Sequence, residues 1–189
     1  MITKDDIISS ASSTIFGKPL VTNVYRSVIV EAVISAALSP DWQWCSADYF
    51  EYDFVHVDGT RLEVKQSAMK QTWQTMGTPR PQWDIAERKT VWVDNKRLDA
   101  PGRNADLYVF GLHGVTDYTA DHRDPAQWSF FVVPTYKLPA AGNKIGLGPV
   151  RRLAEPVNVV ALAGAVAMAS RQPSAASRLA YKPGDLNSQ

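Results

Sequence analysis

The dipeptide Asp58-Gly59 narrows what this chain can fold into more than any other feature. It stands between "YDFVHV" and "TRLEVKQSA", two runs in which apolar and polar residues alternate as in strands with one buried face. Aspartate-glycine between such runs is the strongest short-range hairpin signal, because glycine reaches the positive φ that tight turns require. Strands are therefore expected at 49–57 and 60–66. Their charges set them apart from an ordinary edge hairpin: Asp53 lies on the first strand, Glu63 and Lys65 on the second.

Side chains alternate between faces along a strand, so the register decides which charges meet. A two-residue turn pairs Asp53 with Val64 and strands its carboxylate among Val55, Val57, Leu62 and Val64, where burial is costly. A three-residue loop, Val57-Asp58-Gly59 with Gly59 left-handed, moves the pairing by one residue. Asp53 then faces Glu63, Lys65 shares their face, and Phe54, Leu62 and Val64 turn to the core. The second register separates charge from apolar surface and is the one expected.

Around the hairpin, Thr3 or Asp5 caps a first helix running to Ser13. "TNVYRSVIVEAVISAALSP" (22–40) reads as a longer helix, capped by Thr22 or Asn23 and stopped by Pro40. It groups Val24, Val28, Ala32, Ser35 and Leu38 on one side and holds Glu31 at mid-length. "SAMKQTWQTMG" (67–77) reads as a polar helix, "QWDIAE" as a weak strand and "DAPGRN" (99–104) as a loop. "ADLYVFGLH" and "WSFFVVPT" are buried strands, and a helix covers 155–170. This order implies an α/β domain, a mixed sheet flanked by helices. The 189 residues, 45% hydrophobic and 21% charged, suit one globular domain over 1–170, with a polar, loosely ordered tail over 171–189.

Several function classes drop out. The start "MITKDDIISS" lacks the apolar run of a secretory signal, and the longest mostly apolar stretch, 157–169, is too short for a bilayer. One cysteine, Cys45, excludes an internal disulfide or a cysteine-rich zinc site and suits the cytoplasm. His56, His113 and His122 lack metal-ligand spacing, and "GNKIGLG" lacks the setting of a phosphate loop. Net charge is only +1, but its distribution is uneven. Residues 39–60 carry five acids and no Lys or Arg, whereas residues 61–103 carry nine bases against five acids. That asymmetry suits a cation site beside a polyanion groove.

The chemistry follows from the residue types. Mg²⁺ takes hard oxygen ligands, commonly one or two carboxylates plus waters and phosphate oxygens. Asp53 and Glu63 supply carboxylates, the Val64 carbonyl adds an oxygen, and Glu31 from the helix completes the shell or holds a ligand water. Such a cation polarises a phosphodiester and acidifies a bound water. Lys65 orients that water or offsets charge developing on the phosphorus oxygens. Acid-any-Lys alone is unspecific, since Glu87-Arg88-Lys89 and Asp94-Asn95-Lys96 repeat it. Asp53 and Glu31 single out the first copy. Arg26, Lys70, Arg80, Arg88, Lys89 and Arg103 are candidates to line a backbone-binding groove, with Trp73 as a candidate stacking residue.

With Glu31 on a helix, Asp53 on a hairpin and "RLEVKQSA" on the next strand, residues 22–73 resemble the PD-(D/E)XK nuclease superfamily, the restriction-endonuclease-like fold. Tyr52 stands where the proline of the name would be. The resemblance implies Glu31, Asp53 and Glu63 as metal ligands, Lys65 as the catalytic lysine and Gln66 as an auxiliary polar residue. It implies a Mg²⁺-dependent endonuclease, with Mn²⁺ as a substitute, acting on double-stranded DNA and leaving 5′-phosphate and 3′-hydroxyl ends. Restriction enzymes and defence effectors belong to this superfamily, and a chain of this size is expected to work as a homodimer or with a partner protein. The alternatives are a nuclease-fold protein that binds without cutting, and a nuclease acting on RNA.

Overall fold

The computed structural model describes residues 1–45, 52–72, 77, 79–93 and 96–171. Its centre is a five-stranded mixed sheet in the order β1-β2-β3-β7-β8, built from β1 (Trp42–Trp44), β2 (Phe54–His56), β3 (Arg61–Ala68), β7 (Leu107–His113) and β8 (Trp128–Pro134). β1, β2 and β3 run antiparallel in turn, β3 pairs with β7 in parallel, and β8 closes the sheet antiparallel to β7. Parallel pairing of β3 and β7 demands a long crossover. Here it carries β4 (Gln82–Asp84), β5 (Arg88–Val93) and β6 (Lys96–Gly102). This is an α/β fold, a mixed sheet flanked by helices, as expected.

Each face of the sheet has its own core. Phe54, Leu62, Val64, Leu107, Val109 and Phe130 pack against Val30, Val33, Ile34 and Leu38 of α2 (Arg26–Leu38) and Leu162 and Val166 of α4 (Val159–Ser170). On the opposite face, Val55, Tyr108, Phe110 and Phe131 pack with Trp83 and Ile85 near β4, Ile145 of β9 (Lys144–Gly146) and Val150 of α3 (Leu147–Leu153). α1 (Lys4–Phe16) contributes no buried residue and is held at its start by a capping box between Thr3 and Asp6. Among the described residues, no helix is long and apolar enough to cross a membrane.

Several local expectations are corrected. α2 begins at Arg26 with Tyr25 at the cap position and no side-chain cap, not at Thr22 or Asn23. The Asn23 amide oxygen is spent on Arg26 instead. The buried stripe of α2 is Arg26, Val30, Val33, Ile34 and Leu38, while Val24 and Val28 are exposed. The helix is apolar almost all round, so periodicity could not select the inward side. Ser67 and Ala68 end β3 rather than open a helix, because pairing with β7 continues to Ala68↔His113. Residues 99–102 belong to β6, which pairs with β5, where a loop was expected. β1, β5, β9 and α3 have no counterpart among the expected elements. Trp73 and the tail from 172 lie outside the described residues.

Candidate active site

The hairpin adopts the register that separates charge from core. Phe54 pairs with Leu62 and Val55 with Arg61, which sets Asp53 next in line opposite Glu63. The turn is built by Gly59 at φ +87°, whose N–H donates to the His56 carbonyl at 2.8 Å. Asp58 Oδ1 accepts the Thr60 N–H at 2.8 Å and pins the loop from within. Without the positive φ at Gly59, the loop would not place three residues where two fit.

Just before Phe54 the β2–β3 ladder opens, and a side chain takes over from the backbone. Asp53 Oδ2 accepts the N–H of Val64 at 2.6 Å, while the Asp53 N–H donates to the Leu62 carbonyl at 3.0 Å. A buried N–H needs a partner, and here the carboxylate supplies it. Its oxygens are thereby fixed beside β3, between the two strands.

Glu63 projects to the face opposite Leu62 and Val64 and is only 4% exposed. Its neighbour across the parallel pair is Tyr108, a buried phenol whose pKa is raised above its ordinary value by burial and then by Glu63. Glu63 Oε1 takes a salt bridge from Lys65 Nζ, and Arg88 Nη2 stands 3.5 Å from the same oxygen. Two cations thus converge on one carboxylate atom. Burial, and next the negative charge of Glu63, push the Asp53 carboxyl well above the usual carboxylate range. Unlike a solvated surface cluster, this pair retains mutual repulsion, which Lys65 only partly offsets.

Glu31 approaches the pair from the helix, close enough for its charge to act on Asp53. It sits on α2, against the other face of the sheet, and its Oε2 accepts the indole N–H of Trp44 at 3.0 Å. Its carboxyl is raised chiefly by burial, with the Trp44 bond opposing, and it senses the charges of Glu63 and Lys65. Among the described residues, no three His, Cys, Asp or Glu side chains close up as a ready-made metal cluster. What the fold assembles is a carboxylate pair, Asp53 and Glu63, with Glu31 as an electrostatic neighbour. That donor set still fits Mg²⁺, which commonly takes one or two carboxylates and completes its shell with waters and phosphate oxygens.

The remaining candidates divide. Gln66 shares the phase of Leu62 and Val64, so it turns toward α2, where its Oε1 accepts from Arg26 Nε. Arg26 is 6% exposed and lies behind the surface instead of on it. Arg103 donates to the backbone carbonyls of Ile85 at 2.8 Å and Pro139 at 2.9 Å, and Lys70 donates to the Asp117 carbonyl. Arg80, Arg88 and Lys89 are exposed, and of these Arg88 reaches the site. Sequence reasoning missed Trp44 and Tyr108. Trp44 lies on a three-residue strand with no turn signal, and Tyr108 meets Glu63 only through the parallel pairing.

No family model matches the chain, and no curated protein does. Among solved structures, a bacterial homing endonuclease, I-Ssp6803I, is similar at 22% identity over 66% of this chain and 76% of its own, with a TM-score of 0.38.

Proposed function

We propose that this chain is a Mg²⁺-dependent endonuclease that hydrolyses DNA phosphodiester bonds. The observation that carries the reading is that Asp53 stands one step beyond the Phe54↔Leu62 pair, opposite Glu63, and that Lys65, the next residue on that face of β3, rests on Glu63. A half-buried Asp53 whose proton affinity is raised by burial and by the buried Glu63 is poorly explained as structure alone, because apolar residues would fill the same space at lower cost. Asp53 and Glu63 are the residues that would hold a divalent cation. When bound, the cation supplies Lewis-acid polarisation of the phosphodiester and acidifies water.

The chain's own groups do the rest. The Val64 N–H holds the Asp53 carboxylate in place, so one ligand is positioned before substrate arrives. Lys65 stands two residues beyond Glu63 on the same face of β3, where its ammonium can meet a phosphate oxygen or an attacking water. Arg88, itself exposed, adds a second cation within reach of the same charge. Restriction or defence effector work, and assembly as a dimer or with a partner protein, are the settings in which we place such a nuclease.

The test is plasmid nicking with Mg²⁺, Mn²⁺ or EDTA, with structured RNA run in parallel. Wild-type cutting should need the metal and fall at least about 100-fold in Glu63→Ala and in Lys65→Ala, the scale of losing a key electrostatic group. Equal cutting by all three proteins would mark a contaminant and defeat the reading.

A further inference from the structure

Arg26 has a feature the hairpin chemistry does not use. Its guanidinium is nearly buried, at 6% exposure, yet among the described residues it has no carboxylate partner. All three of its nitrogens donate to neutral amides instead: Nε to Gln66 Oε1, Nη1 to Gln71 Oε1 at 3.3 Å and Nη2 to Asn23 Oδ1. Buried charges are ordinarily paired with an opposite charge, so a positive charge stands here without its counter-ion.

The chemistry of arginine fixes how those amides point. Guanidinium has only donors, so each amide must present its oxygen inward and its NH₂ group away. For Gln71 the NH₂ is consumed by the Ala68 carbonyl at 2.8 Å. Gln66, half-buried, and Asn23, exposed, make no such donation to any described residue. Two NH₂ groups with no acceptor among the described residues thus flank one buried cation, which polarises them as donors to an anion. Gln66 directly follows Lys65, so this donor pair lies on the α2 side of strand β3, with the Glu63 and Lys65 side chains on the other.

We propose that Arg26, Gln66 and Asn23 form a phosphate subsite, in which the two amide NH₂ groups bind a backbone phosphate of the nucleic-acid strand flanking the one to be cut. The inference rests on the nuclease reading for its ligand. Arg26 acts from behind, as the residue that orients both amides and supplies the charge, and does not itself touch the strand.

Gln66→Glu tests this with a matched control. The new carboxylate keeps its oxygen on Arg26 and gains an ion pair, so the fold should be at least as stable, but the outward donor is lost. Gln71→Glu places the same charge on the same guanidinium without removing an outward donor. Binding of a 20-base-pair DNA duplex is measured by fluorescence anisotropy across a salt series, in a Glu63→Ala background that prevents cutting. Gln66→Glu should weaken binding about tenfold and flatten the salt dependence by about one phosphate contact. Gln71→Glu should weaken it less than about threefold. Asn23→Asp, on the exposed approach to α2, repeats the loss of donor at the second amide and keeps the proposal testable if Gln66→Glu folds poorly. Equal losses in Gln66→Glu and Gln71→Glu, or a parent protein that binds no duplex, overturn the subsite. Metal-dependent plasmid cutting by the wild type alongside such equal losses would sink the subsite alone. A clear Gln66/Gln71 split in a protein that cuts nothing would sink the nuclease reading and leave the subsite standing.

Discussion

The carboxylate of Asp53 accepts the backbone N–H of Val64 at 2.6 Å, tying the acid of one strand to the neighbour of Glu63 on the next. This bond holds Asp53 beside Glu63 in spite of their repulsion. The cost is visible in Asp53, whose carboxyl is raised by burial and by the charge of Glu63.

Asp53→Asn should therefore stabilise the protein in EDTA while abolishing cutting. Asparagine keeps an oxygen for the Val64 N–H and removes the repulsion. A gain of about 2 kcal/mol is expected at neutral pH, seen as a rise in Tm of roughly 4–8 °C. Thermal unfolding of the variant beside wild type checks this; a lower Tm would mean that Glu63 and Asp53 do not repel as described.

Gly59 sets the register through its positive φ of +87°. Gly59→Val should cost about 1–2 kcal/mol, since a β-branched residue resists the left-handed region, whereas Gly59→Asn should be nearly neutral. Urea unfolding measures the cost. Because Asp53 faces Glu63 only in this register, Gly59→Val should also lose cutting out of proportion to its stability, read at a temperature where it remains folded.

The bond from Trp44 to Glu31 couples β1 to α2. Trp44→Phe removes the donor and leaves the half-buried carboxylate with less support. In a double-mutant cycle with Glu31→Gln, a coupling of about 1 kcal/mol is expected from denaturant unfolding. Strict additivity would show that the contact carries no energy.

His122 is fully buried, and burial, then neighbouring His113, then Arg26 push its pKa down to about 4. The native state therefore binds fewer protons than the unfolded chain between about pH 6.5 and pH 4. This group's contribution to stability is intact above pH 6.5, declines as pH falls through that window and levels off below pH 4. The loss is at most about 3 kcal/mol. His113, also lowered chiefly by burial, acts in the same direction. Asp53, being raised, acts in the opposite one, so the difference between wild type and His122→Phe is what isolates the effect. Between about pH 6.5 and pH 4 the stability of His122→Phe should fall less steeply with pH than that of wild type; parallel curves would contradict the assignment.

The hairpin was readable from residues alone because its determinants are local. Asp58-Gly59 selects the turn, and the alternation of Phe54, Leu62 and Val64 with Glu63 and Lys65 admits only one register that keeps charge out of the core. The long strands β7 and β8 were readable for the same reason, as apolar runs bounded by turns. The failures occurred where a partner outweighed local preference. Ser67 and Ala68 carry a helix-start signal, yet β7 offers them a ladder to His113. The stretch at 99–102 looks like a turn and becomes a strand because β5 lies alongside.

The sequence by itself determined the chemistry available: two carboxylates and a lysine on one hairpin, in a register that Gly59 permits. Only the tertiary structure decided what surrounds them. It assigned Glu31 to Trp44, brought Arg88 and Tyr108 to Glu63, and buried Arg26 behind Gln66. The physical reason is range: turns and alternation act over a few residues, whereas those contacts arise when helix and strand faces pack, and no local pattern encodes which faces meet.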